Sequence, residues 1–351
     1  MMRLVRDKCC KKVAFGNHTL NRGVVVVSLL LLITTLAGLT FQLDRFLSRN
    51  MDTSTSSLPL LSPKFTKRAP PPALPDPSSD IIAQMRRWRI WDVSKNENQV
   101  NPVLINTFPE EFQYVSDVAT FKRIFLHSLL PVALIALEEI EQERQTLIDI
   151  IDKTGIQPEH LLFGDSETIS YATWRRNLSN KEVAFVERIT RKYRTLHASE
   201  LLNRIDVLPM SLILAQGAIE SSWGRSRFAL EGNNIFGIWT WNNDGLIPTE
   251  REPDKKHKVR SYDSILDSVR GYLLTLNRLP TYRKLRAIRQ QSDDPLTIAE
   301  GLLMYSERRL AYIEDVRDII LQNDLQKYDL FALSESPLET ASLQPVAYVL
   351  Q

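Results

Sequence analysis

Hydrophobic and polar positions follow three different rules along this chain. The 21 residues from Gly23 to Leu43 contain no charge and are dominated by Val, Leu and Ile. At the α-helical rise that stretch reaches about 30 Å, the thickness of a bilayer's hydrocarbon core. Ser48 to Ser79 is instead rich in Ser, Thr and Pro, with a Pro70-Pro71-Pro72 run. Such a segment buries too little apolar area to fold and favours extended polyproline geometry, so it predicts a tether, with folded structure beginning near Asp80 or later.

From Ser116 onward the rule is helical. Val118, Phe121, Ile124, Phe125 and Leu129 recur at spacings of three and four, and the stripe resumes after Pro131 through Val132, Ile135, Ile140, Leu147 and Ile151. Pro131 is expected to kink this helix or split it in two. Ser179-Asn180-Lys181-Glu182 reads as a capping box for a second helix, with Phe185, Val186, Ile189 and Tyr193 on one side. Asp206 and Pro209 introduce a helix that is almost wholly apolar from Leu212 to Ile219, ends in Glu220 and has Gly224 as its expected C-terminal cap. The Asn, Gly and Pro punctuation from Gly232 to about Tyr262, with short β-favouring runs at Ile235–Trp241 and Val259–Tyr262, predicts a small hairpin lobe. Helices return at Ile265–Leu276, at Leu296–Tyr305 behind Asp294-Pro295, and at Ala311–Gln322. After Asp329 the pattern fades.

Charge adds direction to this outline. Arg3, Arg6, Lys8, Lys11, Lys12 and Arg22 precede the apolar run and Asp44 follows it. The short basic leader is therefore expected to stay cytoplasmic and the remainder to be exported. A cleaved signal peptide ranks second, because the leader and the apolar run are long and no small-x-small cleavage site follows. Cys9 and Cys10, the only cysteines, fall on the cytoplasmic side. The net charge of +2, with 25% charged residues, offers no basic excess of the kind nucleic-acid binding requires. His127, His160, His197 and His257 are scattered without metal-ligand spacing, so no metal or other cofactor is expected.

The chemistry concentrates in LAQGAIESSWGRSRFALEGNNIFGIWTW, Leu214 to Trp241. Glycoside hydrolysis needs an acid kept neutral until it protonates the leaving oxygen, and a second carboxylate or a substrate group to meet the developing positive charge. A carboxylate set against apolar helix packing and Trp223 has its ionised form disfavoured, which suits Glu220 to the first role. A glutamate exposed at a helix end is the plain alternative. Trp223, Phe236, Trp239 and Trp241 follow closely, and aromatic faces are what sugar rings stack against. Phe236 is the one of these expected in the core. Trp239 and Trp241 would share one face of a strand beside Asn242 and Asn243, leaving at least one accessible. Thr249-Glu250-Arg251-Glu252 offers two candidates for the second carboxylate, and spacing does not choose between Glu250 and Glu252.

These motifs resemble a known family. AIESSWGRSRFALEGNNIFGIW, followed by SYDS at Ser261–Ser264 and LPTYRKLR at Leu279–Arg286, is similar in order and spacing to the peptidoglycan N-acetylglucosaminidases of glycoside hydrolase family 73, in particular the Bax-like group of Gram-negative bacteria. The likeness covers Leu201 to Asp329 and, more loosely, the helical region from Ser116. It implies an α+β, mainly α, lysozyme-like catalytic domain with a small β-hairpin lobe, here preceded by one transmembrane helix and a helical N-terminal region. It also implies Glu220 as general acid, Glu250 as the second glutamate, and Tyr282 near the cleft, orienting the substrate's N-acetyl group or a water. Asn234 and Phe236 would shape the floor, with Ser221, Trp223, Trp239 and Trp241 completing the substrate-binding set. Pro253 and Asp254 interrupt the hairpin where many relatives have a longer turn.

The resulting expectation is a basic leader at 1–22, an anchor at 23–43, a tether at 44–79, a helical region at 80–197, a catalytic domain at 198–330 and an unstructured tail at 331–351. The expected activity is hydrolysis of the β-1,4 bond between N-acetylglucosamine and N-acetylmuramic acid in periplasmic peptidoglycan, by an enzyme held at the inner membrane. A lytic transglycosylase of the same fold and a silent wall-binding scaffold are the competing readings.

Overall fold

The computed structural model describes residues 76–93, 98–164, 174–241, 245–248, 257–341 and 343. The chain divides into two units, Met1–Pro71 and Pro72–Gln351, and the described residues all belong to the second. The expected anchor, the basic leader with its cysteines, most of the tether, and Glu250, Glu252, Pro253 and Asp254 lie outside them.

Ten helices appear among the described residues: α1 (Ser78–Arg87), α2 (Val118–Thr154), α3 (Asn180–Tyr193), α4 (Ala198–Arg204), α5 (Met210–Ser221), α6 (Arg227–Gly232), α7 (Ile265–Arg278), α8 (Arg283–Arg289), α9 (Pro295–Ile298) and α10 (Leu310–Gln322). Six short strands pair two by two. β1 (Gln99–Val100) runs parallel to β5 (Ala332–Leu333), and β2 (Val103–Ile105) runs parallel to β6 (Glu339–Ala341). β3 (Trp239–Thr240) and β4 (Lys258–Val259) are antiparallel, with Trp239 opposite Val259. The class expected from the sequence, α+β and mainly α with a small hairpin lobe, is the class observed.

α2 is the pillar. The Asp117 carboxylate accepts from Thr120 N at 2.7 Å to start it, and Gly155 at φ 66° ends it 37 residues later. Pro131 neither splits it nor ends it. A proline removes one rung of the helical ladder, but every residue from Ile124 to Leu134 is buried, so packing on all sides holds the helix through the missing bond. α2 is long and apolar enough to cross a membrane, yet its apolar stretch is mostly enclosed by the rest of the fold. α5 and α7 pack against it, as do α1, α4 and β2. The helical region before residue 198 thus supplies the support on which the later helices stand.

The helix starts read from sequence recur in detail. Ser179 and Glu182 form the reciprocal capping box of α3, and Ser264 and Asp294 accept from the third residue of α7 and α9. The stretch Leu296–Tyr305 departs from the expected helix: α9 gives way to a 3-10 turn over Ala299–Leu302. The tail departs more. Instead of being unstructured from residue 331, it adds β5 and β6 and buries Phe331, Ala341 and Leu343. Its partners lie more than 230 positions earlier, a pairing that local periodicity does not register.

Candidate active site

α5 is buried on every side from Met210 to Ala218, so its sequence is apolar except where a polar group has an assigned partner. Its N-terminus is met by Asp329, whose carboxylate accepts from Ser211 N at 2.7 Å and from Ser211 Oγ at 2.8 Å. Its C-terminus delivers Glu220 and then turns abruptly. Ser222, Trp223 and Gly224 have φ of 52°, 58° and 81°, and two non-glycine residues in succession in the left-handed region represent strain that surrounding contacts must hold. Ser221 Oγ supplies them, donating to Gly217 O at 2.5 Å and accepting from Gly224 N at 2.7 Å. Trp223 N adds a bond to Ala218 O at 2.8 Å. The C-cap of α5 is therefore Ser222 rather than Gly224. Gly224 is needed two residues later, where a Cβ would lie 3.0 Å from the Phe125 ring and 3.1 Å from that of Phe112.

Glu220 comes to rest half-buried among tyrosines. Its Oε2 lies 3.2 Å from where a Cβ on Gly237 would be, and Gly237 has φ 62°, so the backbone of the lobe approaches the carboxyl closely. Tyr312 hydrogen-bonds to the carboxyl from α10. Behind Tyr312, Gln216 Nε2 donates to its hydroxyl at 3.0 Å, and Gln216 Oε1 accepts from Tyr272 of α7 at 2.6 Å. Gln216 is one helical turn before Glu220, so a polar pair on one face of α5 meets a polar pair of tyrosines. Tyr305 stacks on Tyr312 at 5.5 Å, and Tyr282 sits 6.1 Å from Tyr305.

The electrostatic consequence follows from this enclosure. Burial raises the Glu220 carboxyl above its ordinary value, and the Tyr312 hydrogen bond lowers it by less. Desolvation disfavours the charged form, whereas a hydroxyl donor favours it. Tyr282 is pushed up to about 12 by burial and then by the Glu220 charge. Tyr272, Tyr305 and Tyr312 are raised further, also by burial first, and all four phenols remain protonated donors at neutral pH. Among the described residues, what raises the Glu220 carboxyl is burial, and no second acid contributes. The expected second carboxylates, Glu250 and Glu252, lie outside the described residues. Among the described residues no group of His, Cys, Asp and Glu is arranged to hold a metal ion.

The other residues singled out by sequence divide into two groups. Tyr282 joins the tyrosine cluster, and Phe236 lies beneath it, stacked on Tyr272 at 4.0 Å with its carbonyl accepting from Tyr305 at 2.8 Å. Trp239 and Trp241 are 53% and 74% exposed, and Trp239 stacks on His257 at 4.4 Å. Ser221, Asn234 and Trp223, by contrast, are occupied with the backbone and the core. Ser221 is buried in the turn already described. Asn234 is buried too, with Nδ2 donating to Ile238 O and Arg260 O while Oδ1 accepts from Ile238 N, so it ties the two lobe strands together. Trp223 meets Phe125 edge-on and carries Lys122 Nζ over its face at 4.4 Å. Tyr312 and its tyrosine neighbours thus contribute to the enclosure of Glu220. Sequence reasoning missed Gln216, Tyr272, Tyr305, Tyr312 and Gly237. The one available signal was Gln216, a lone polar residue four positions before the acid in an otherwise apolar run.

A half-buried acid at a strained helix end, faced by a hairpin lobe, occupies the segment that matches a known family. Residues 195–325 match the family described as mannosyl-glycoprotein endo-beta-N-acetylglucosaminidase. The chain carries a glucosaminidase domain. Glu220, Gln216 and all four tyrosines fall within it. The chain is similar to Protein bax of Escherichia coli, with 27% identity over 208 residues, covering 58% of this chain and 69% of that protein. Peptidoglycan hydrolase FlgJ of Salmonella typhimurium is 33% identical over 88 residues, 21% of this chain and 28% of that protein, so the likeness spans under a third of FlgJ. The autolysin Auto catalytic domain of Listeria monocytogenes aligns at 22% identity and TM-score 0.30, over 43% of this chain and 89% of that one.

Proposed function

We propose that the glucosaminidase domain is a peptidoglycan hydrolase acting outside the cytoplasm, and that it cleaves the β-1,4 bond between N-acetylglucosamine and N-acetylmuramic acid. The observation that carries this reading is Glu220, an acid made reluctant to ionise by burial and held by Tyr312 beneath the lobe backbone at Gly237. In the proposed step its proton passes to the glycosidic oxygen as the bond to the anomeric carbon breaks. A glutamate of the lobe, Glu250 with Glu252 as its alternate, or the substrate's own N-acetyl group, meets the positive charge left on the sugar. Water then supplies the hydroxyl that completes the new reducing end. Tyr282, a protonated donor beside the acid, orients the N-acetyl group or the water. Trp239 and Trp241 offer exposed faces for sugar stacking.

Export and anchoring belong to the same reading. Gly23 to Leu43 would cross the inner membrane once, with the basic leader cytoplasmic and the domain periplasmic. The full chain should fractionate with the inner membrane and resist alkaline carbonate extraction; release as a soluble protein would refute the anchor.

Purified sacculi incubated with the detergent-solubilised full chain should yield muropeptides ending in reducing N-acetylglucosamine, identified by mass spectrometry. Glu220→Gln should lower the rate by at least about a hundredfold, the scale of a general acid's contribution. Anhydromuramic ends would point to a transglycosylase, as would activity retained in Glu250→Ala. Sacculus binding without any soluble product would leave only a scaffold.

A further inference from the structure

One cavity of the molecule does not include Glu220 in its lining. It is a groove of about 1070 Å³ between α2, α3 and α7, closed at one end by lobe residues Thr240 and 260–263. Ligand sites typically measure about 300–1,000 Å³. The helical side of the groove is electrostatically complete. Arg270 reaches both Glu139 and Asp267, while Glu143 accepts from Arg188, Lys192 and Tyr193. The lobe side is not. The Arg260 guanidinium has as its contact the Tyr262 ring, at 5.0 Å, and the side chains of Ser261 and Asp263 have no hydrogen-bond or ion-pair partner among the described residues. The Tyr262 hydroxyl is fully shielded and also unpartnered. It lies over α7 at Gly271, where a Cβ would come within 2.4 Å of it. A shielded hydroxyl left unpaired costs roughly 1–3 kcal/mol, while Arg260, Ser261 and Asp263 stand exposed along the groove with no side-chain hydrogen bond or ion pair among the described residues.

We propose that this groove seats the peptide stem carried by the glycan strand, an inference that rests on the peptidoglycan reading above. Three features select that occupant. The unpaired groups have both signs, Arg260 for a carboxylate and Asp263 for an amine, which suits a short zwitterionic peptide and not a polyanion. Arg278 lies close enough to Arg260 to feel its charge and adds to the positive field there. Finally, adjacent residues of β3 face opposite ways, so Trp239 stands exposed as a sugar platform while Thr240 lines the groove. One two-residue strand borders both sites, the arrangement needed for a sugar and its peptide branch to be held together.

The test uses the full chain in detergent with two substrates, intact sacculi and sacculi stripped of peptide by an amidase. Alongside them, calorimetry is run with a synthetic stem tetrapeptide, L-alanyl-γ-D-glutamyl-meso-diaminopimelyl-D-alanine. Arg260→Ala and Asp263→Asn, both at exposed positions, should each weaken peptide binding and lower the intact-to-stripped ratio of kcat/KM about tenfold. Absence of peptide binding by the wild type would overturn the proposal, as would an unchanged ratio in both variants or an equal loss on both substrates. If the wild type cuts neither substrate, the glycosidase reading falls while calorimetry still decides the groove: binding lost in the variants upholds it, and no binding ends it.

Discussion

Glu220 owes its character to competing effects whose balance a single atom can shift. Burial raises its carboxyl and the Tyr312 hydroxyl pulls it back. Removing that hydroxyl in Tyr312→Phe leaves the burial and deletes the opposing bond, so the carboxyl must rise further. An acid works only while protonated, and its activity is lost as pH climbs through its pKa. The alkaline limb of the pH–rate profile in Tyr312→Phe should therefore move to higher pH, with kcat down about tenfold from loss of orientation. A limb that stays put, or moves to lower pH, would remove Tyr312 from this role. At this scale the sequence was half legible. Glu220 stood out because a carboxylate after an apolar run is rare, whereas Tyr272, Tyr305 and Tyr312 sit at helix positions that pattern alone assigns to the core.

Among the elements, the end of α5 is the most constrained. Three consecutive left-handed residues aim Glu220 into the pocket while the chain reverses beneath Phe108, Phe112 and Phe125. Gly224→Ala adds both a disfavoured backbone conformation and a clash with rigid rings, and should destabilise the fold by about 2 kcal/mol or more. Urea unfolding would measure it, and an unchanged midpoint would mean that the turn is not under that constraint. Helix starts were legible because Ser179, Ser264 and Asp294 act on backbone atoms three residues away. The C-cap was misplaced by two residues for the opposite reason. Ser222 takes the left-handed position not only through local bonds made by Ser221 and Trp223 but in a turn packed against rings, Phe125 of α2 among them, which a capping pattern does not register.

Over the whole molecule, the tail and the region before residue 198 are working parts of the catalytic unit. Asp329 holds the N-terminus of α5 through Ser211, and β5 and β6 bind the segment that leads into α2. A chain ending after Tyr328 loses both. It should unfold at lower urea concentration and lose activity on sacculi, whereas one ending after Leu343 should match the full chain in both measurements. Equal stability of the two truncated chains would return the tail to the status of an appendage.

The amino-acid sequence by itself determined what depends on neighbours a few residues apart: the helix periods, their N-caps, the hairpin lobe, and the acid at the end of an apolar helix. Only the tertiary structure decided which groups surround that acid, because Gln216, Tyr272 and Tyr312 come from three helices, and Tyr305 from the turn before α10, spread over nearly a hundred residues. The same holds for the tail's pairing with β1 and β2 and for the groove beside α7. Burial and hydrogen bonding depend on distance in space, and for these residues that distance is set by how α5 and α7 pack on α2 and how α10 packs on α5, which no local pattern encodes.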